Sequence, residues 1–160
     1  MNINLRRFTY LTLVVGLMLM LALPALAQTD DIPLEDFSSS AFGISGVRPA
    51  DWSEVQPGMY GRDVTSGDPT ALFQQALPGG RIENLQQSLR PGLQVETWPE
   101  ADDTVTTEAL TWELYQIDVE TPQITVRTMT ALAQGEGTAY LVLLQALPDD
   151  FDMLVEAVFM

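Results

Sequence analysis

Three residue types that carry much of enzyme chemistry are missing from this chain. Its 160 residues include no histidine and no cysteine, and all seven basic residues are arginine, so lysine is absent as well. Without histidine, no imidazole base can activate a serine or cysteine nucleophile. Without lysine, the chain can form no Schiff base and has no P-loop lysine. These absences exclude the common forms of nucleophilic and phosphoryl-transfer catalysis.

The same absences restrict metal binding, because zinc sites ordinarily take histidine and cysteine ligands. Carboxylates remain in two clusters: Glu100, Asp102 and Asp103, and Asp149, Asp150 and Asp152. Neither cluster has the Asp-x-Asp-x-Asp-Gly spacing of a calcium loop. The second cluster opens a predicted helix, whose dipole favours negative charge there. We therefore expect no metal and no cofactor, with a calcium site in the first cluster as the alternative.

The N-terminus has the composition of a secretory signal. Arg6 and Arg7 precede residues 8–23, a run of 16 residues without charge, and Pro24 interrupts that run. A membrane anchor would need about 20 apolar residues to cross the bilayer. The run is shorter than that, and a basic segment followed by a short apolar segment is typical of an export signal.

The cleavage site follows directly. Ala25 and Ala27 supply the small-x-small pattern that signal peptidase recognises. Residues 1–27 are therefore predicted to be a signal peptide, cleaved between Ala27 and Gln28. The mature protein would then be secreted or otherwise extracytoplasmic, with no stable membrane anchor after cleavage.

Export would leave a strongly acidic protein. In the remaining 133 residues, five arginines are set against 22 carboxylates, which gives a net charge of −17. Such a charge repels phosphate backbones and anionic lipid, so we expect no nucleic-acid partner. A chain of this length is sufficient for one domain without disulfides.

Composition and periodicity divide the mature chain in two. Residues 28–41 are polar and acidic and are predicted to be a flexible lead. Residues 42–160 are predicted to form a single α+β domain, an antiparallel sheet of about six strands with two or three helices packed against it. Val158 and Phe159 continue an apolar stripe to the last residue with no capping residue after it. We therefore expect the domain to be truncated in its last helix.

Hydrophobic periodicity places the elements of this domain. Short strands are predicted around Ile44, Val55 and Tyr60, and residues 70–77 fit either a helix or a buried strand, with a strand favoured. A helix is predicted over 81–90, where Pro91 and Gly92 end it, and an acidic loop over 99–107. Further strands are predicted over 93–98, 109–119, 123–133 and 138–144. The last predicted element is an amphipathic helix whose apolar stripe comprises Phe151, Leu154, Val155, Val158 and Phe159.

Two stretches of the chain follow a family pattern. The first runs Gly46-Val47-Arg48-Pro49-Ala50-Asp51-Trp52 and continues through Val55, Pro57-Gly58 and Tyr60. The second comprises Leu110-Thr111-Trp112, Tyr140-Leu141-Val142-Leu143-Leu144 and the closing helix. Together they resemble PsbP/Mog1-like domains, in which a strand runs into a Pro-x-x-Trp turn and back. The chain is also similar to the N-terminal module that precedes an α/β-hydrolase domain in some secreted bacterial proteins.

The resemblance implies a function without catalysis, since such domains share no catalytic residues and we assign none here. It implies a secreted accessory or protein-interaction module that contacts a partner protein or a neighbouring domain of its own parent. A different class remains open: a small carboxylate-dependent enzyme acting on extracellular glycan, or a calcium-dependent binder. That alternative requires Trp52, Trp98 and the carboxylates at 100–103 to line one cleft.

The exported form is predicted to begin at Gln28. Replacing Ala27 with Phe should block processing, because signal peptidase accepts only small residues at that position. N-terminal sequencing of exported protein measures the result. An intact Met1 in the membrane fraction of cells that express the native chain would contradict the prediction.

Overall fold

Nine strands and two helices make up the described part of the chain, which is residues 32–40 and 42–159 of the computed structural model. The predicted signal peptide, with its cleavage residues Ala25, Ala27 and Gln28, lies outside the described residues. In chain order the elements are β1 (Leu34–Ser39), β2 (Ile44–Pro49), β3 (Ser53–Gln56), β4 (Met59–Gly61), β5 (Ala71–Pro78), α1 (Ile82–Leu93), β6 (Asp103–Thr106), β7 (Thr111–Glu120), β8 (Thr125–Gly135), β9 (Thr138–Ala146) and α2 (Pro148–Phe159).

The main sheet has seven strands in the order β3-β4-β5-β9-β8-β7-β6, and every neighbouring pair is antiparallel. Strands β1 and β2 pair with each other in a separate two-stranded sheet. The predicted α+β class is confirmed. The strand count in the described residues is nine rather than about six.

Strands β8 and β9, near the centre of the main sheet, form the hairpin expected from the glycines around residue 136. Gly135 pairs with Thr138, and Gly137 has a φ of 69°, which glycine adopts without steric cost. The favoured reading of residues 70–77 as a strand is also confirmed, because β5 pairs with β9 along its whole length.

Helix α1 covers one face of the main sheet. Its buried Leu85 and Leu93 pack with Tyr115, Ile117 and Leu143 of the sheet. The helix does not end at Arg90 as predicted, because a proline in the last turn removes only one backbone hydrogen bond. It continues through Pro91 to the buried Leu93.

The chain leaves α1 without forming the strand predicted for residues 93–98, and that prediction is wrong. Gln94 ends the helix in the left-handed conformation, with a φ of 57°. Val95 and Trp98 then pack against the α1-side core from irregular backbone. Their apolar side chains produced a strand-like pattern although no neighbouring strand pairs with them.

Helix α2 covers part of the opposite face, and its predicted apolar stripe is confirmed. Phe151, Leu154 and Val155 are buried against Leu72 and Leu144. Successive side chains of a strand point to opposite faces, so Leu143 of the α1 core and Leu144 of the α2 core place the two helices on different sides of the sheet.

Three further expectations are corrected. Strand β1 lies within the predicted flexible lead, so regular structure begins before Phe42, and strand β6 lies within the predicted acidic loop. Neither strand has a fully buried residue, and both are rich in polar side chains, so hydrophobic periodicity did not indicate them. The strands on either side of the Pro49-x-x-Trp52 turn do not pair with each other, since β2 pairs with β1 and β3 pairs with β4.

Replacing Phe151 with Ala should destabilise the fold strongly. The Phe151 side chain is 1% exposed, and removing such a group leaves a cavity that costs about 3–5 kcal/mol. Met153 of the same helix is 42% exposed, so Met153→Ala should change the free energy of unfolding by only about 0.5 kcal/mol. Urea denaturation of both variants measures the difference. Equal losses would show that α2 does not pack as described.

Candidate binding cleft

A cavity of about 470 Å³ opens on the face of the main sheet that α2 only partly covers. We call it the α2-side cleft. Its floor includes Leu114 of β7, Ala131 of β8 and Val142 of β9, which lie side by side across three adjacent strands. These positions point to the α2 face, because Val142 neighbours Leu143 of the α1 core.

The two-stranded sheet forms one wall of the cleft through Phe37 and Val47. It is anchored on Tyr60 of the main sheet. The ring of Phe37 meets that of Tyr60 edge-on at 6.3 Å between centroids, and the guanidinium of Arg48 lies 4.6 Å from the centre of the same ring. An ion pair of 2.7 Å joins Arg48 to Glu35 across the two strands.

The opposite rim is a tight turn between β6 and β7. The Thr107 backbone N–H donates to Leu110 O at 2.8 Å, and the Leu110 N–H donates to Thr107 Oγ1 at 3.1 Å. The turn places Ala109 and Leu110 at the mouth of the cleft. Val158 and Phe159, at the end of α2, close the remaining side.

Aromatic rings and uncharged groups dominate this lining. Trp112 and Tyr140 stand on neighbouring parts of the floor with ring centroids 6.4 Å apart, and Phe37 and Phe159 face the same space. None of the described residues that line the cleft carries a charge at neutral pH. Apolar pockets with one or two placed polar groups are typical of sites that bind small molecules.

Gln74 supplies the buried polar group. It pairs with Val142 across β5 and β9, so its side chain lies on the α2 face among the floor residues. The residue is 6% exposed, and its Oε1 is buried without a hydrogen-bond partner. Three other buried polar atoms of the described residues share this lack of a partner, on Thr70, Trp98 and Thr130, but those residues do not line the cleft.

A second cavity, of about 440 Å³, lies beside α1 and the turn at Gly58. Two of its polar side chains have partners within the protein. Ser88 Oγ donates to Leu85 O at 2.8 Å, and Gln145 Nε2 donates to Pro69 O at 2.7 Å. Gln74 borders both cavities, but its side chain points to the α2 face, because the residue pairs with Val142 across β5 and β9. The α2-side cleft is therefore the stronger candidate, since the unpartnered Gln74 Oε1 belongs to that face.

The residues required by the glycan or calcium alternative do not come together. Trp52 is buried in the α2-side core, whereas Trp98 packs on the α1-side core, so the sheet lies between them. The Trp98 ring meets Tyr115 at 5.3 Å. Burial there, together with a hydrogen bond to Glu113, raises the pKa of Tyr115 to about 12.

Carboxylates of the two acidic clusters accept backbone hydrogen bonds or form ion pairs. Asp102 accepts a hydrogen bond from the Gln116 N–H at 2.7 Å, and Asp103 accepts one from the Thr104 N–H at the same distance. Asp150 pairs with Arg62 at 2.7 Å. Across the described ranges, no three acidic residues are arranged to hold a metal ion. No helix in that part of the chain is long and apolar enough to cross a membrane.

Sequence reasoning did not identify Gln74, although a usable signal was present. Gln74 and Gln75 are adjacent in the middle of a predicted strand. Adjacent strand residues point to opposite faces, so if both faces of that strand were covered, one glutamine had to be buried. The sequence did not reveal that helices would cover both faces.

No protein-family model matches this chain, and no curated protein matches it. Among solved structures, the chain is similar to LpqN, which is involved in cell envelope biogenesis of Mycobacterium tuberculosis. The two share 15% sequence identity at a TM-score of 0.38, and the alignment covers 79% of this chain and 76% of LpqN. This is a weak structural relationship, and the resemblance to PsbP/Mog1-like domains stays a prediction.

Replacing Gln74 with Met should stabilise the unliganded protein. A buried acceptor without a partner costs about 1–3 kcal/mol, and methionine fills a similar volume without that cost. The control is Gln116→Met, which makes the same change at an exposed position on the same sheet face and should leave the free energy of unfolding within about 0.5 kcal/mol of the native value. Urea denaturation measures both. A destabilised Gln74→Met variant would show that the amide is satisfied in solution.

Proposed function

We propose that this chain is an extracytoplasmic, non-catalytic module that acts by binding, and that the α2-side cleft is its binding site. The observation that carries the proposal is the composition of the cleft. It combines aromatic walls, an uncharged described lining and one buried amide whose oxygen has no partner. Such a cavity suits recognition, because general acid–base chemistry relies mostly on carboxyl, imidazole, amine or thiol groups and the described lining holds no Asp, Glu, His, Lys or Cys.

The amino-acid composition also supports a non-catalytic role. The chain has no histidine, cysteine or lysine, so the usual nucleophile-activating groups are absent. A glycosidase would need two carboxyl groups about 5–10 Å apart that flank a substrate groove. Asp102 and Asp103, two of the carboxylates that the glycan alternative requires, instead accept backbone hydrogen bonds along β6 and β7.

The finer proposal is that the module is an accessory to a neighbouring domain or a partner protein. Its resemblance to PsbP/Mog1-like domains, through Pro49-Ala50-Asp51-Trp52 and the later strands, supports this role. Under this proposal the parent is a secreted protein whose α/β-hydrolase domain lies outside the chain. The coding sequence downstream of Met160 tests it. An open frame that leads to a Gly-x-Ser-x-Gly motif supports the accessory role, and an in-frame stop codon at that point contradicts it.

Binding through the cleft is tested with a neutral apolar dye. Nile red should bind the exported protein saturably at one site, with increased fluorescence. Ala109→Trp places a large ring at the exposed mouth of the cleft and should weaken dye binding at least about tenfold, a loss of 1.4 kcal/mol. Ile124→Trp adds the same ring at an exposed turn away from the cleft and should leave binding unchanged.

Two results would contradict the proposed function. One is dye binding that does not saturate or that Ala109→Trp leaves unchanged. The other is hydrolysis of an extracellular glycan by the purified protein that is lost when Asp102 and Asp103 are both changed to Asn. That second result would favour the enzyme alternative.

A further inference from the structure

We propose that the α2-side cleft selects neutral, mainly apolar small molecules that carry a hydroxyl group, and that Gln74 is the residue that recognises this hydroxyl. The inference rests on the proposed function and adds the chemical class of the ligand. Its starting point is the Gln74 side chain, 6% exposed and located on the floor of a mainly apolar cavity.

The hydroxyl requirement follows from the chemistry of the amide. A primary amide presents one acceptor oxygen and two N–H donors, and Gln74 Oε1 has no partner within the described residues. A hydroxyl both donates and accepts, so one such group can bond to the amide from either side. A ligand without a polar group would leave this buried oxygen unpaired, which lowers affinity.

The neutrality requirement follows from the surroundings. The described lining holds no cation that could pair with an anionic ligand, and the net charge predicted for the exported protein, −17, repels anions. Arg48, which lies in β2 of the two-stranded sheet, is already paired with Glu35 and lies over the Tyr60 ring. A cationic ligand would likewise enter an apolar cavity without a carboxylate to meet it.

The size and shape of the cleft favour a small molecule over a protein segment. A volume of about 470 Å³ lies within the range of about 300–1,000 Å³ typical of small-molecule sites. A stable protein interface would extend over about 800 Å² on each partner. Among the six large apolar side chains exposed in the described residues, Val47 lines the cleft and the other five do not.

The aromatic lining favours a flat ligand. Trp112 and Tyr140 have their ring centroids 6.4 Å apart on the floor, and Phe37 and Phe159 border the same space. Rings in this arrangement can take a further ring in an offset or edge-on contact. A two-ring aromatic alcohol therefore combines the expected shape with the expected polar group.

Three probes of one shape test the proposal: 2-naphthol, naphthalene and 2-naphthoate. Equilibrium dialysis against the exported protein at neutral pH gives a Kd for each. We expect 2-naphthol to bind at least about tenfold more tightly than naphthalene, which lacks the hydroxyl, because a satisfied buried amide is worth about that factor. The anionic 2-naphthoate should bind most weakly.

Two variants assign the effect to Gln74. Gln74→Met should abolish the preference for 2-naphthol over naphthalene while naphthalene still binds. Gln116→Met, at an exposed position on the same sheet face, should keep the preference. As a measurement that needs no variant, the side-chain amide resonances of Gln74 should shift more when 2-naphthol is added than when naphthalene is added, because only 2-naphthol can form a hydrogen bond to the amide.

Equal Kd values for 2-naphthol and naphthalene in the native protein would overturn the proposal, as would a preference that persists in Gln74→Met. Tighter binding of 2-naphthoate than of 2-naphthol would also overturn it. These results leave the proposed function intact if Nile red still binds and Ala109→Trp still blocks it. If Nile red also fails to bind the native protein, that result contradicts both proposals.

Discussion

Pairing of β8 with β9 is the interaction on which the rest of the structure depends. These strands lie at the centre of the seven-stranded sheet, and each presents buried apolar residues to both faces. Leu132 and Leu141 form one register pair and belong to the α1-side core. Leu144, whose partner is Met129, contributes to the α2-side core. Both helices therefore pack on one hairpin, and a shift of one residue in its register would exchange the two faces.

The α2-side cleft exists because helix α2 is too short to cover its face of the sheet. Its 12 residues bury Phe151, Leu154 and Val155 over one part of that face. The floor beyond it, at Leu114 and Ala131, is closed in by the two-stranded sheet and the turn before β7 rather than by a second helix. The apolar surface left between these three walls is concave, and a concave apolar surface suits a ligand.

Gln74 illustrates how stability and recognition can oppose each other. Its position in β5 would accept an apolar side chain, since its neighbours on the same strand face, Leu72 and Ala76, are buried. A buried amide oxygen without a partner lowers stability in the unliganded protein, and under our proposal the same atom provides selectivity when a ligand bonds to it. The acidic surface would also contribute to selectivity, because it disfavours anionic ligands at a cleft whose described lining has no cation.

The sequence by itself determined the α+β class, the β8–β9 hairpin and the apolar stripe of α2, because local periodicity and turn residues encode these features directly. The chemistry excluded by the absence of histidine, cysteine and lysine also follows from the sequence alone. It did not predict β1 or β6, whose exposed polar residues lack a strand pattern, and it assigned a strand to Val95 and Trp98, which pack without pairing. Only the tertiary structure separated Trp52 from Trp98 and buried Gln74 in the cleft. Those outcomes depend on which strands become neighbours and which faces the helices cover, and contacts between distant residues decide both.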